Sequence, residues 1–524
     1  MTVVLPPVGS SAAPSSPRPR DPVGATLGEV AALTGARLVG SEGRRLTGVT
    51  LRAQDARAGD LFAAVPGSRA HGAQYARQAM DAGALAVLTD DAGADQLAGA
   101  RVPLLIVDRP RDHLGPVARR IYGDPSARLA VVGVTGTSGK TTTCYLLEAA
   151  LAADGSRSAV IGTVQTRIDG VVTPSALTTP EAPDLQALLA VMLERGVGAV
   201  AMEVSSHALA MGRVSGTRFA VGAFTNLSQD HLDFHHDMEE YFRAKRMLFD
   251  GRAGRHVIDV DTEYGARLAA LHPEALTVSD RAGAADWSVA SLEVAANGVQ
   301  HVALAGPGNR AVTLDLAIPG AFNVSNAAVA IACVDALGRD VQQAADALST
   351  VVVPGRMERV DAGQDFLAVV DYAHKPGAVA AVLAAISDGL TGPLIVVIGA
   401  GGDRDRGKRP LMGAESAARA DVLIVTDDNP RSEVAAEIRA QVLAGARPVA
   451  AERGVPVLDI GDRRAAIGRA VQLAGTGGAV VVAGKGHEQG QEIAGVVHPF
   501  SDRDALRAAL AARTGQPLSD GPTR

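Results

Sequence analysis

Short aliphatic runs alternate with Ala-rich stretches of helical character along most of this chain. From GEVAALTGARLVG through GALAVLTD this alternation continues to about residue 127. The segment RLAVVGVTGTSGKTTTCYLLEAALAADG then predicts a buried strand, a Gly/Thr/Ser loop and a helix starting near Lys140. Further strands are expected at GVGAVAMEV and AVGAFTNLS, with helical stretches between them. Such strand–helix alternation implies a parallel sheet covered by helices on both faces. Between about 280 and 316 the period changes to two, in SVASLEVAANGVQHVALAG, as in an antiparallel hairpin region. A helix over FNVSNAAVAIACVDAL closes this block, and the Pro-Gly pair in VVVPGRME breaks the pattern. Beyond it, FLAVVDYAH, GPLIVVIGAGG, DVLIVTDDNPR and GAVVVAGKGHE read as four strands, each running out into Gly, Asp, Asn or His. Ligands of open α/β sheets sit at the carboxyl ends of strands, so these polar endings mark a candidate site.

The fold class expected is therefore α/β, with three tandem domains: a first α/β domain at 23–127, a central P-loop domain with a parallel sheet at 128–353, and a Rossmann-like domain at 354–524. A length of 524 residues allows three or four domains. Residues 1–22, rich in Pro and Ser, read as a disordered leader without the pattern of a signal peptide. With 47% hydrophobic residues the chain can bury several cores, and with only 3% aromatics those cores are aliphatic. A net charge of −7 and the scarcity of stacking side chains argue against a nucleic-acid binder. Apolar runs fall short of the roughly 18 residues of a membrane span. Cys144 and Cys333 cannot form a disulfide framework or a cysteine zinc site, which fits a cytoplasmic location.

Gly133-Val-Thr-Gly136-Thr137-Ser138-Gly139-Lys140-Thr141-Thr142 follows a hydrophobic strand and opens a helix. That context supplies a phosphate cradle: backbone N–H groups, a helix N-terminus, a lysine for the β- and γ-phosphates and a hydroxyl for Mg²⁺. Val134 stands where the strict P-loop pattern has its first glycine. The loop points to ATP but alone does not separate a ligase from a kinase, a transporter subunit or a switch protein.

The order of G-x-T-G-T-x-G-K-T-T, MEVSSHAL, NLSQDHLD, YFRAKRMLF, GAFNVSNAAVA, VPGRME, DYAHKP, GGDRDRGKRP, DNPR and GKGHE resembles that of the Mur ligases over essentially the whole chain after the leader. The resemblance implies an ATP-dependent ligase of peptidoglycan synthesis. Its expected partners are UDP-N-acetylmuramoyl-L-alanyl-D-glutamate, meso-diaminopimelate and ATP with Mg²⁺, and a monomer is the expected state.

Glu203 ends one candidate strand and His231 lies in the loop after another. Mg²⁺ prefers oxygen, so Glu203 and the Thr141 hydroxyl are natural ligands, whereas His231 is an unusual one and reads equally well as a loop histidine. Resemblance makes His231 a ligand. Lys245 has Tyr241, Phe242, Leu248 and Phe249 at helical spacing and no acidic residue among them, so it lies on an apolar stripe. Helical geometry alone leaves a lysine snorkelling to the surface as the alternative. A desolvated lysine has a lowered pKa, and the neutral amine can take up CO₂ as a carbamate. In the family the lysine of this motif is such a carbamate, which implies the same for Lys245, holding a second Mg²⁺. Lys140, Lys245 and His231 are the implied catalytic set.

The resemblance places the UDP moiety against Leu51 and Ser68-Arg69-Ala70, in a glycine-punctuated segment that could equally be an ordinary strand–turn–strand. Ala53 replaces a serine usual there, and Met211 a frequent glutamine. Thr178, Thr179 and Ser205 offer hydroxyls, and Arg213 a cation, for the muramyl-dipeptide. Asn323 and Asn326 resemble the adenine contacts, and Arg356, Asp371 and His374 those to ribose and phosphate. Asn323 could instead be a helix N-cap and Asp371 a turn residue.

Arg404, Asp428-Asn429-Pro430-Arg431, Gly484 and Glu488 fall at three strand ends. Two arginines and two acids suit a zwitterion, although a surface salt-bridge network would use the same charges. By resemblance, Arg431 in DNPR grips the distal carboxylate of meso-diaminopimelate. The rivals are a ligase using lysine or extending folate with glutamate, and a P-loop ATPase switch that needs no amino acid.

Overall fold

The computed structural model describes residues 17–67, 70–99, 102–173, 177–295 and 298–515. These pack as two compact units, one formed by the chain up to Ser291 with Val302–Leu314 and Ser325–Leu348, the other by Leu292–His301, Asp315–Val324 and the chain from Ser349.

The first unit holds two sheets. The smaller has the order Arg37–Val39, Leu104–Ile106, Ala86–Thr89, Asp60–Ala63 and Gly48–Thr50, parallel except for its first strand. Its inner strands are buried at every position, as parallel strands covered on both faces must be. The larger sheet runs Val171–Thr173, Thr166–Ile168, Ser158–Ile161, Ala199–Glu203, Ala130–Thr135, Phe219–Phe224, Ala253–Asp259, Leu276–Ser279 and the start of Trp287–Val294. From Ser158–Ile161 to Trp287–Val294 neighbouring strands are parallel. The sheet is not wholly parallel, however: an antiparallel hairpin over 166–173 closes one edge. Only Asp169 and Gly170 link its two strands, too short a connection for a parallel crossover. Both take positive φ, as the tight turns of hairpins require.

The two sheets share one unit because helices Pro110–Tyr122 and Ala182–Glu194 pack together, and Ala182, Ala187 and Ala190 enter the core of the smaller sheet. Small residues make the approach possible. A Cβ on Gly115 would lie 2.0 Å from the Ser215 carbonyl oxygen, and one on Gly216 2.6 Å from the carbonyl of Gly115.

The expected leader is anchored at its end. Arg18 donates to Asp60 at 3.2 and 3.3 Å and to the Tyr122 hydroxyl at 2.6 Å, and the backbone N–H groups of Arg20 and Asp21 reach Glu194. Only residues 1–16 of the expected leader lie outside the described residues. Asp60 is 3% exposed, so removing its guanidinium partner strands a buried carboxylate. Arg18→Ala is expected to cost about 3 kcal/mol of the first unit's stability. Denaturant unfolding checks this, and an unchanged midpoint would show that the Arg57 backbone N–H on Asp60 suffices.

The second unit is built on a six-stranded sheet in the order Glu358–Arg359, Leu367–Asp371, Ala479–Ala483, Leu394–Ile398, Val422–Val425 and Val457–Asp459. All neighbours are parallel except the first pair. Ala479–Ala483, Leu394–Ile398 and Val422–Val425 are adjacent, so the loops after them leave one edge of the sheet side by side. Among the described residues no helix is long and apolar enough to cross a membrane.

Candidate functional site

The Ala130–Thr135 strand lies mid-sheet between Ala199–Glu203 and Phe219–Phe224, and the chain turns from its end into the Lys140–Ala152 helix. Strand order reverses direction about this point, where an open sheet forms its ligand crevice. Gly139 caps the helix with φ 87°, a conformation that glycine adopts without steric cost, and a Cβ there would lie 2.3 Å from Asn326 Oδ1. The loop is pinned from the neighbouring strand end. The Ser138 N–H donates to Asn226 Oδ1 at 2.9 Å, the Thr137 N–H to the Asn226 carbonyl at 3.0 Å, and the Thr225 hydroxyl to the Ser138 carbonyl at 2.6 Å. Thr225 and Asn226, which hold this loop, are passed over by the motif reading, although they adjoin and open the quoted NLSQDHLD stretch. Thr141 and Thr142 lie buried in the first helical turn. Gly139→Ala is expected to raise the KM for ATP at least tenfold by forcing the loop off Asn326. An ATP-saturation curve measures it, and an unchanged KM would refute the cradle.

Lys245 is 1% exposed, so it does not snorkel to the surface. Asp237 N-caps its helix, Met238–Arg246, by accepting from the Glu240 N–H. From there the Lys245 ammonium donates to the Gly136 carbonyl at 2.7 Å and sits 4.6 Å above the Tyr241 ring. Lys140 donates to the same carbonyl at 2.8 Å and to that of Thr137 at 3.0 Å. Two lysines thus converge on one backbone oxygen of the phosphate loop. Tyr241 also meets the Thr137 hydroxyl at 3.2 Å, and burial pushes its phenol pKa up.

Glu203 is 1% exposed and faces Val134 across the ladder, one strand from the loop. Its carboxylate accepts from the Thr163 N–H at 2.8 Å and hydroxyl at 3.1 Å. His231 takes φ 53°, with its ring 46% exposed and Nε2 3.1 Å from Asp230 Oδ2. It joins a cluster with His207, whose ring centroid is 4.8 Å away, and Tyr241 at 6.2 Å. Burial lowers the pKa values of His207 and His235 in the same cluster, favouring their neutral forms.

Beside Glu203, the buried Thr179 hydroxyl donates to the Glu203 carbonyl at 2.9 Å, and Thr178 meets Thr163 at 3.0 Å. Ser205 N-caps a short helix by accepting from the Ala208 N–H. Arg213 pairs with Glu181 at 3.0 Å, and Glu181 also pairs with Arg111 at 3.0 Å. The expected cation for the dipeptide is therefore held by a carboxylate that sequence reasoning did not connect to it. Leu51 is half-buried against the core of the smaller sheet and Ala70 is exposed. Ser68 and Arg69 lie outside the described residues.

Asn326 accepts from the Thr143 hydroxyl at 3.3 Å, which places it beside the phosphate loop. Asn323 is not an N-cap: its helix begins at Ala321, and its amide donates to the Pro319 carbonyl at 2.6 Å.

In the second unit, Asp371 is fixed by the Met357 and Ala373 N–H groups, both at 2.7 Å, with burial raising its pKa. Arg356 stacks over Tyr372 at 4.3 Å. Burial lowers His374 and His487 to about 4, so both are neutral at neutral pH.

The three adjacent strand ends of this unit bring the zwitterion candidates together. Asn429 donates to Glu488 at 2.8 Å and accepts from Lys485 at 2.9 Å. Lys485 also pairs with Glu488 at 3.0 Å and lies 3.7 Å from Asp428. Lys485 is wholly buried and organises the acids, yet only its place between two glycines in GKGHE signals it. Gly484 has φ 118°, and a Cβ there would lie 2.7 Å from Asp428 Oδ2. Pro430 is buried, and Arg431 takes φ 53° with Nη1 donating to the Gly402 carbonyl at 2.7 Å. A Cβ on Gly401 would lie 2.9 Å from Arg431 Nη1 and 4.0 Å from Arg404 Cγ, so both arginines flank that glycine, with Arg404 exposed. Behind them, buried Arg463 forks onto Asp502 at 2.6 and 2.7 Å and donates to the Ala483 carbonyl at 3.0 Å. The salt-bridge alternative is thus partly realised: Lys485 sits between Asp428 and Glu488, and Arg431 Nε lies 3.4 Å from the Glu492 carboxylate.

Family models match three successive stretches: the Mur ligase family catalytic domain at 45–122, the Mur ligase middle domain at 134–334 and the Mur ligase glutamate ligase domain at 355–486. The chain is 54% identical over 466 residues to the UDP-N-acetylmuramoyl-L-alanyl-D-glutamate--2,6-diaminopimelate ligase of Corynebacterium glutamicum, covering 87% of this chain and 90% of that one. It is 48% identical over 506 residues to the ligase of the same description from Streptomyces avermitilis, covering 96% and 99%. A solved structure of such a ligase superposes with a TM-score of 0.68 at 30% identity, covering 94% of this chain and all of the other.

Proposed function

The chain belongs to the Mur ligase family, and we propose that it joins meso-2,6-diaminopimelate to UDP-N-acetylmuramoyl-L-alanyl-D-glutamate at the expense of ATP, in the cytoplasm. The observation that carries this reading is the presence of a phosphate loop on one sheet and a cluster of two arginines and two acids on another. A P-loop switch has no use for the second cluster. The assignment divides the chain at 22/23, 127/128 and 353/354, with the sugar nucleotide, ATP and the amino acid assigned to the three domains in turn.

The chemistry follows from charge. The D-glutamate γ-carboxylate attacks the γ-phosphoryl group of ATP, giving an acyl phosphate and ADP. The amine then attacks the acyl carbon, phosphate leaves, and the amine's proton is released. Two anions meet in the first step, so the Lys140 ammonium and the N–H groups of Gly139 to Thr142 neutralise and position the phosphates. The Glu203 carboxylate and the Thr141 hydroxyl are hard oxygen donors whose chemistry fits Mg²⁺. His231 and the carbamate of Lys245 would complete a second position, and the bound ions would supply charge neutralisation at the reacting oxygens. Asn323, Asn326, Arg356, Asp371 and His374 hold the nucleotide. Thr178, Thr179, Ser205, Arg213 and the 51 and 68–70 segments hold the sugar nucleotide. Arg431 and Arg404 take the distal carboxylate, while Asp428, Asn429 and Glu488 take the ammonium groups.

Mass spectrometry of the product tests the substrate assignment. The tripeptide should form with meso-diaminopimelate and not with lysine. Preferential lysine incorporation would overturn the role of DNPR, and no peptide product with either would overturn the ligase reading.

A further inference from the structure

Away from the phosphate loop, His256 on the Ala253–Asp259 strand, His272 just after the Glu263–Leu271 helix and Glu274 gather at one point. One donor atom from each lies within 4.8 Å of the others. His256 is 9% exposed, and its Nδ1 faces Glu274 Oε1 at 3.1 Å; the His272 Nδ1 is 3.6 Å from the same oxygen. The two rings meet edge to face at 4.7 Å, with Phe249 against both. The buried His256 Nδ1, the atom that faces Glu274, makes no hydrogen bond among the described residues.

We propose that His256, His272 and Glu274 form a site for a zinc-like divalent transition-metal ion, separate from the Mg²⁺ chemistry of the ligase centre. Two imidazoles and a carboxylate are a donor set that zinc accepts, with water as the fourth ligand, whereas Mg²⁺ disfavours nitrogen. A tetrahedron with bonds of about 2.1 Å has edges of about 3.4 Å. The two nitrogen–oxygen separations bracket that edge. A dication takes one donor atom from each of the three residues and uses the carboxylate once.

The ion would clip the Ala253–Asp259 strand to the segment that leads into Leu276–Ser279. That segment precedes its strand, whereas the phosphate loop follows one, so the two lie toward opposite ends of parallel strands. The role is therefore structural or regulatory rather than catalytic.

Calorimetric titration of chelator-treated full-length protein with Zn²⁺, in excess Mg²⁺ and ATP, tests this. One equivalent should bind that is weakened at least tenfold in Glu274→Gln, whose exposed position keeps the fold intact, and likewise in His272→Gln. Co²⁺ should give the visible absorption of a tetrahedral site in the parent chain and not in Glu274→Gln. Zinc binding equal in parent and variants, or none in the parent, would overturn the proposal.

Discussion

Lys245→Ala should reduce ligation about a thousandfold while leaving the chain folded, the scale expected when one preorganised charge is lost from a reacting centre. The lysine is buried, with its ammonium on the Gly136 carbonyl and over the Tyr241 face, and Lys140 still satisfies that carbonyl in the variant. Stability is therefore affected less than turnover. Its chemical form decides what can replace it. As a carbamate, Lys245 presents an anion formed from its neutral amine and CO₂ with release of a proton. Short carboxylic acids added to Lys245→Ala should then restore part of the activity. Restoration by alkylammonium ions alone would show that a cation is needed and would reject the carbamate. Full activity in Lys245→Ala would reject any role at the centre.

Arg431→Ala should raise the KM for meso-diaminopimelate about a hundredfold with a smaller effect on kcat. Charged hydrogen bonds are worth about 1.5–3 kcal/mol, and about 1.4 kcal/mol is tenfold. The backbone of Arg431 is tied independently of its side chain: its N–H donates to the Glu492 carbonyl at 3.0 Å and its carbonyl accepts from the Ala494 N–H at 2.7 Å. Truncation therefore removes the fork, with its contacts to the Gly402 carbonyl and Glu492, and leaves the Arg431 backbone tied. Arg431→Lys should not restore binding, because a point charge does not reproduce a planar fork. Steady-state kinetics with varied amine measure both values. An unchanged KM in Arg431→Ala, with a large rise in Arg404→Ala, would move the specificity role to Arg404.

What the chain discloses in its sequence is local. The phosphate loop is legible because strand, glycines, Lys140 and helix are contiguous, and Lys245 because its apolar neighbours recur at helical spacing. The four strand endings of the second unit are legible for the same reason, since a strand and its polar exit are one segment. Long-range partners are not. Thr225 and Asn226 lock a loop almost ninety residues earlier in the chain, at separations of 87 and 88. Arg18 finds Asp60 and Tyr122 at separations of 42 and 104. No local pattern announces that Gly115 must meet Ser215, and that approach unites two expected domains in one unit. Lys485 lies within a recognised motif, but its burial among Asp428, Asn429 and Glu488 depends on strands from elsewhere in the chain.

In the proposed reaction, phosphoryl transfer to the substrate carboxylate precedes amide formation with a diamino acid. Labelling the D-glutamate γ-carboxylate of UDP-N-acetylmuramoyl-L-alanyl-D-glutamate with heavy oxygen tests it in a single reaction. With ATP and meso-diaminopimelate, one labelled oxygen should appear in inorganic phosphate for each tripeptide formed. Unlabelled phosphate, or phosphate released at the same rate without the dipeptide or the amine, would contradict it.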